Sequence, residues 1–120
     1  MTKSSITIYH NPRCGKSRST LALLEKKGVQ PHIIEYLKTP PTKEELRSIL
    51  KKLGMKPAQI VRKGEEVFKE SFAGMTLSDD QILDALAKNP ILIERPIVVK
   101  GDRAVIGRPP ENVLGLLTSP

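Results

Sequence analysis

Residues 6–18 read ITIYHNPRCGKSR, and they predict a strand, a loop and the start of a helix in direct succession. Residues 6–9 alternate and include β-branched side chains, which is typical of a strand. Residues 10–15 form a turn-rich loop, and a helix is expected at about 17–27. A second strand is expected at 32–36. A strand-loop-helix-strand unit of this kind favours parallel pairing of its two strands.

Two capping boxes and a hairpin organise the rest of the chain. Thr42 and Ser78 are each followed three residues later by Glu or Gln, which predicts a helix beginning at each. Apolar runs at 97–99 and 104–106 predict a hairpin, and a short helix is expected after Pro110. We therefore expect one α/β domain over residues 1–120. Its four-stranded mixed sheet (β-α-β then β-β-α) would carry a helical insertion at about 42–90, between the two halves.

The composition excludes several classes of protein. The 120 residues suit one domain, and 38% hydrophobic with 28% charged residues is ordinary for a globular chain. No apolar run approaches the roughly 18 residues that span a bilayer, and the start lacks a signal-peptide core. Cys14 is the only cysteine, which excludes an internal disulfide, and one Cys with two His does not favour zinc. We expect a cytoplasmic protein without membrane segment or metal.

The formal charge of +7 is concentrated in residues 1–63 and suggests an anionic partner. Nucleic acid is one candidate, but single-strand binding usually needs aromatic stacking platforms, and the chain has only two Tyr and two Phe. A small oxyanion is the other candidate. Composition alone leaves both open.

Cys14 lies where the first loop meets the first helix, a position that favours the thiolate, the nucleophilic form. Neighbouring basic residues add positive charge, whereas the alternative is a small buried apolar side chain. Counting excludes three motifs: Ser17 replaces the second cysteine of C-x-x-C, Thr20 replaces the arginine of C-x5-R, and His10 replaces the first glycine of a P-loop. We predict a single reactive thiol, and any covalent adduct on it needs an external thiol for its release.

Three arginines are candidates for binding an oxyanion, because guanidinium groups suit bidentate contacts with one. Arg62 follows a predicted helical turn, Arg95 precedes the third strand and Arg108 follows the fourth. The hairpin brings Arg95 and Arg108 to the same edge of the sheet. The alternative for each is a solvated surface charge or an ordinary ion pair.

The sequence resembles the glutaredoxin-coupled arsenate reductase family of thioredoxin-like fold, most closely its short arsenate-reductase-like branch. The similarity covers nearly the whole chain in the same order. It is carried by four stretches: 6–18, Val61-Arg62-Lys63, NPILIERPIVV at 89–99, and GRPPE at 107–111. The longer plasmid-type enzymes carry a C-terminal extension that has no counterpart here.

The resemblance implies a role for each matching residue. Cys14 would be the nucleophile that attacks arsenate, and His10 and Ser17 would support its thiolate. Asn11 would hold the loop, and Pro96 would be the cis-proline of the fold. The substrate-binding residues would be Arg62, Arg95 and Arg108. Taken alone, His10 is equally well explained by a structural hydrogen bond, and Ser17 by a helix cap.

The function that the resemblance implies is reduction of arsenate to arsenite. Glutathione would discharge the Cys14 adduct and glutaredoxin would supply reducing equivalents, with no bound cofactor, no nucleic acid and a monomeric chain. One alternative is a thiol-dependent reductase of another oxyanion or substrate. A second is a non-enzymatic regulator resembling the Spx family, which binds RNA polymerase. Those regulators often have a C-x-x-C switch at this loop, and Ser17 argues against one here.

Overall fold

The computed structural model describes residues 5–72 and 74–118. In these ranges the chain forms four strands, five α-helices and two 3₁₀ helices. In chain order they are β1 (Ile6–His10), α1 (Gly15–Lys26), β2 (His32–Glu35), α2 (Lys43–Leu53), a 3₁₀ helix (Pro57–Ile60), α3 (Glu66–Ser71), α4 (Asp79–Lys88), a 3₁₀ helix (Pro90–Leu92), β3 (Ile97–Lys100), β4 (Arg103–Ile106) and α5 (Asn112–Thr118).

The four strands form one mixed sheet, as predicted, and their order is β2-β1-β3-β4. β1 pairs parallel with β2 and antiparallel with β3, and β3 and β4 form the expected hairpin. Tyr9 pairs with Ile97, and Ile97 pairs with Ile106. The carboxyl end of β1, the start of β3 and the end of β4 therefore share one edge of the sheet.

The residue contacts divide the chain into two compact units. The first comprises Met1–Thr39 and Arg95–Pro120 and contains the sheet, α1 and α5. Its core consists of side chains from both strands and helices: Ile8, Leu24, Val98, Val113 and Leu116. Each of these residues is at most 1% exposed. α1 is thereby fixed against the sheet, and with it the loop that precedes α1.

The second unit, Pro40–Glu94, contains α2, α3 and α4. Both predicted capping boxes are present, at Thr42 with Glu45 and at Ser78 with Gln81. The apolar faces of α2 and α4 are buried, with Leu46 and Leu86 fully inaccessible. The residues expected as a helical insertion thus group together, whereas a single domain over the whole chain stays a prediction.

Two boundaries and one additional helix differ from the sequence-based expectation. α1 begins at Gly15, two residues earlier than predicted, because Cys14 occupies the N-cap position. β2 ends at Glu35, so Tyr36 lies just outside the strand. α3 was not predicted: it has six residues and no buried side chain, so its sequence has no apolar periodicity. No helix among the described residues is long and apolar enough to cross a membrane.

Candidate active site

The backbone of Cys14 is held from both sides at the N-terminus of α1. Its N–H donates to the carbonyl of Asn11 at 3.0 Å, and its carbonyl accepts from the N–H of Arg18 at 3.0 Å. Cys14 is extended at the N-cap, with φ −95° and ψ 123°, and the free thiol is half-buried. The thiol therefore lies at the positive end of the α1 dipole, which favours negative charge.

His10, at the end of β1, and Ser17, in the first turn of α1, contact each other across the base of this loop. Ser17 Oγ lies 2.6 Å from His10 Nδ1 and accepts from the N–H of Asn11 at 3.0 Å. All three residues are buried. Ser17 is thus not the helix cap that its position suggested, since its hydroxyl is used to join α1 to the end of β1.

The environment of His10 favours its neutral form. Burial is the largest effect and lowers the pKa of His10 below its usual 6.5; the carboxylate of Glu35 opposes this shift, and the guanidinium of Arg18 adds to it. A neutral imidazole can accept a hydrogen bond from the Ser17 hydroxyl at Nδ1. His10 and Ser17 then form a buried, uncharged support for the loop.

The loop itself is fixed by local hydrogen bonds. Asn11 Oδ1 accepts from the N–H of Arg13 at 3.0 Å, an Asx-type contact that closes the turn. Arg18 Nη1 donates to the carbonyl of Pro12 at 2.9 Å. Arg13, Lys16 and Arg18 are exposed. Three cationic side chains therefore lie within four residues of Cys14 in the sequence.

Arg95 and Arg108 lie at the sheet edge where β1 ends. Arg95 lies two residues before β3 and Arg108 two residues after β4, and both of the following X–Pro bonds, to Pro96 and Pro109, are cis. Arg95 Nε and Nη1 are buried and have no hydrogen-bond partner within the described part of the chain. Arg108 is exposed. Two of the three predicted arginines are therefore placed at one edge with the Cys14 loop.

Arg62 belongs to the second unit, and it contacts Glu65, Glu94 and Leu92 there. Its Nη1 is 2.7 Å from Glu65 Oε2, and its Nε is 3.9 Å from Glu94 Oε1. Its backbone N–H donates to the carbonyl of Leu92 at 2.7 Å. A half-buried guanidinium between two carboxylates is the ordinary ion-pair arrangement that the sequence left open, so its role in binding an anion stays a prediction.

A buried contact that sequence reasoning missed joins α1 to the segment before Arg108. Thr20 is fully buried, and its Oγ1 donates to the carbonyls of Lys16 and Gly107, at 2.9 and 3.0 Å. The N–H of Gly107 donates to the carbonyl of Pro96 at 2.9 Å. The available signal was a pair of polar residues, Ser17 and Thr20, at the helical spacing of the buried face of α1.

A metal site is absent from the described residues. Within 5–72 and 74–118, no three His, Cys, Asp or Glu side chains come together as ligands would. A cleft of about 270 Å³ adjoins the Cys14 loop in the first unit. A smaller cavity of about 180 Å³ in the second unit is lined mainly by apolar side chains, and its residues include no Cys or His.

Comparison with known families agrees with this arrangement. The model of the family described as ArsC family matches residues 9–116, which include the Cys14 loop and all three arginines. The chain belongs to the ArsC family.

Relatives in the ArsC family match over nearly the full length of the chain. An arsenate reductase of Haemophilus influenzae is 50% identical over 115 residues, which cover 94% of this chain and 99% of that protein. An arsenate reductase of Escherichia coli strain K12 is 44% identical, over 95% of this chain and 82% of that protein.

A solved structure of an arsenate reductase from Vibrio cholerae superimposes with a TM-score of 0.90. It is 49% identical, and the match covers 95% of this chain and 98% of that one. The mixed sheet and helices described above thus form a thioredoxin-like fold.

Proposed function

We propose that this ArsC-family protein reduces arsenate to arsenite, with Cys14 as the nucleophile. The observation that carries the proposal is Arg95, whose Nε and Nη1 are buried without a hydrogen-bond partner among the described residues. A buried guanidinium donor that makes no hydrogen bond is costly, so such a group is expected to receive an anionic ligand. A tetrahedral oxyanion is a suitable ligand, because hydrogen bonds from a guanidinium to an anion are charge-assisted.

The position of Arg95 supports attack by Cys14. β1 and β3 pair antiparallel, which brings the end of β1 and the start of β3 to the same edge of the sheet. Arg108 follows β4 at that edge. An anion bound by these arginines would lie at the edge from which the Cys14 loop begins. Arg62 is the third arginine for which the family resemblance implies a role in substrate binding.

The proposed chemistry begins with the Cys14 thiolate. Its sulfur displaces one oxygen of arsenate, which leaves as water after protonation, and a bond from sulfur to arsenic(V) forms. Two thiols then provide the two electrons that reduce arsenic(V) to arsenic(III), and they end as a disulfide. Water finally displaces the Cys14 sulfur from arsenic(III), so that arsenite leaves and the Cys14 thiol is regenerated. Since the chain has no second cysteine, both thiols after Cys14 have to be external.

We propose glutathione as the thiol that attacks the arsenylated Cys14, and glutaredoxin as the protein that supplies the remaining reducing equivalents and releases arsenite. His10 and Ser17 would support the thiolate by fixing the loop, since their contact ties the end of β1 to α1. The scheme requires no bound cofactor. We further propose that the protein acts as a monomer in the cytoplasm, where glutathione is abundant and thiols stay reduced.

The test is arsenate-dependent NADPH oxidation in the presence of glutathione, glutaredoxin and glutathione reductase. The expected result is turnover by the wild-type chain and none above background by Cys14→Ser. Lys27→Ala, an exposed change at the opposite end of α1, serves as a control and keeps most of the rate. A folded wild-type protein with no arsenate turnover would contradict the proposal, and turnover on another oxyanion would then identify the substrate.

A further inference from the structure

The cleft beside the Cys14 loop has two walls, both within the first unit. Residues 10–13, which lead directly to Cys14, form one wall, and Glu35, Leu37 and Lys38 form the other. The walls are adjacent because His10 pairs with Glu35 in the parallel register of β1 and β2. A molecule in this cleft would lie next to the loop that bears the thiol.

The cleft carries charges of both signs. Arg13 supplies one cation and Lys38 a second, and Glu35 supplies a carboxylate whose Oε1 lies 3.4 Å from Lys38 Nζ. The side chain of Lys38 is 79% exposed and that of Glu35 41%, so this pair is solvated and loosely held. Leu37 is 38% exposed and adds an apolar surface. Arg13, Glu35 and Lys38 have no part in the proposed oxyanion site.

The charges of Arg13, Glu35 and Lys38 indicate which kind of ligand the cleft would bind. Two cations and one carboxylate complement a molecule that has two carboxylates and one ammonium group. The volume of about 270 Å³ is close to the roughly 300 Å³ at the lower end of small-molecule sites. Glutathione is a thiol with this charge pattern, and it is the small co-substrate in the proposed function.

We propose that this cleft binds glutathione and thereby selects it over other thiols. Arg13 and Lys38 bind its two carboxylates, Glu35 binds its ammonium group, and Leu37 contacts its aliphatic part. The sulfur is then presented to the Cys14 loop. The identity of the ligand rests on the proposed function, but its binding is testable without arsenate.

Disulfide exchange measures this binding directly. The Cys14 thiolate attacks one sulfur of oxidised glutathione, the disulfide of glutathione breaks, a Cys14–glutathione disulfide forms, and the second glutathione leaves as a thiolate. The same reaction with bis(2-hydroxyethyl) disulfide, which is neutral, reports the intrinsic reactivity of Cys14. The ratio of the two rate constants, measured by intact mass spectrometry, isolates the contribution of the cleft.

The decisive variant is Lys38→Glu, and Lys27→Glu is its matched control. Both change the net charge equally, and Lys27 lies at the far end of α1, about 20 Å along the helix from Cys14. Lys38→Glu is expected to lower the rate ratio about five- to tenfold, since it replaces an attraction between exposed charges with a repulsion. Lys27→Glu should change it less than about twofold, and Lys38→Arg should preserve it.

Two outcomes would overturn the proposal. An equal loss of rate with both disulfides in Lys38→Glu would place the effect on Cys14 itself, and an equal change of the ratio in Lys27→Glu would reduce it to net charge. A failure of the proposed function is distinguishable from both. A chain that prefers oxidised glutathione through Lys38 but turns over no arsenate would support the cleft and contradict arsenate reduction.

Discussion

The guanidinium of Arg95 makes an unusual pair of predictions possible, because its buried Nε and Nη1 have no hydrogen-bond partner among the described residues. Arg95→Met removes these donors and keeps an apolar stem of similar length. We expect kcat/KM for arsenate to fall about 100-fold, since charged hydrogen bonds contribute roughly 1.5–3 kcal/mol each. Thermal unfolding should show a Tm equal to or above that of the wild type.

Arg95→Lys is the matched control for charge. It keeps the cation but loses the planar pair of donors, so it should recover only part of the activity. A Tm that falls in parallel with activity in Arg95→Met would indicate that the guanidinium is a structural group, in contradiction to its assignment to the oxyanion.

His10 makes the stability of the protein depend on pH. Burial lowers its pKa in the folded state below 6.5, so the unfolded chain takes up a proton first as the pH falls. The contribution of His10 to the free energy of unfolding is therefore complete above about pH 6.5, and it is lost as the pH falls through the folded-state pKa. Urea unfolding of the wild type and of His10→Gln between pH 7.5 and 5 measures this difference.

The exposed His32 provides the comparison for that experiment. His32→Gln should retain the decline in stability, whereas His10→Gln should lose that part of it. If both variants follow the wild-type curve, His10 does not carry the neutral, buried role assigned to it beside Ser17.

Helix α1 meets the segment after β4 at Thr20 and Gly107, and the contact leaves no room for a side chain at residue 107. A Cβ at residue 107 would lie 2.7 Å from Thr20 Oγ1, 2.8 Å from its Cγ2 and 3.0 Å from Pro96 Cγ. Gly107→Ala is expected to destabilise the fold by about 1–3 kcal/mol, as overpacking does in a close-packed core. Chemical denaturation measures the change in the free energy of unfolding.

Gly64→Ala is the control, because a Cβ there meets nothing within 4 Å. It should change stability by less than about 0.5 kcal/mol. Thr20→Ser in the Gly107→Ala background removes Cγ2 and should restore part of the loss. Equal stabilities of Gly107→Ala and Gly64→Ala would show that α1 and the segment after β4 are not locked together in this way.

The cap of α4 makes a separate contribution to the second unit. Ser78 Oγ accepts from the N–H of Gln81 at 3.2 Å, and Gln81 Oε1 accepts from the N–H of Ser78 at 2.8 Å. Ser78→Ala should lower the free energy of unfolding by about 1 kcal/mol. Ser48→Ala, in the middle of α2 and exposed, should have no such effect, since Ala is a good helix former. Thermal or urea unfolding compares the two.

Elements with a local chemical signal were predictable from the sequence, and those without one were not. Both capping boxes fix helix starts through contacts three residues apart, so α2 and α4 were located correctly. The start of α1 was placed two residues late, and Ser17, which has the side chain of a cap, contacts His10 instead. That choice is made by packing between α1 and β1, which no local pattern records.

Over the whole molecule, the same distinction separates the predictable part of the site from the rest. The hairpin of β3 and β4 dictates that Arg95 and Arg108 meet at one edge, and the sequence predicts that hairpin. The contact from Thr20 to Gly107 joins residues 87 positions apart and depends on the complete fold. The burial of Arg95 Nε and Nη1 is likewise a tertiary property, so only the residue type was available from the sequence.

The order of the strands also governs how the chain can fold while it is being synthesised. β1 lies between β2 and β3, but β3 begins only at Ile97, after the whole of Pro40–Glu94 has been added. As the chain leaves the ribosome, Ile8 therefore lacks its strand partner Val98 until all of Pro40–Glu94 has been made. The helical segment Pro40–Glu94 is continuous in sequence and can fold before the sheet is complete, because local contacts form faster than distant ones. The strand that leads into the Cys14 loop is thus made before the helical segment but gains its β3 partner only after it, and in that interval its apolar face is accessible to chaperones.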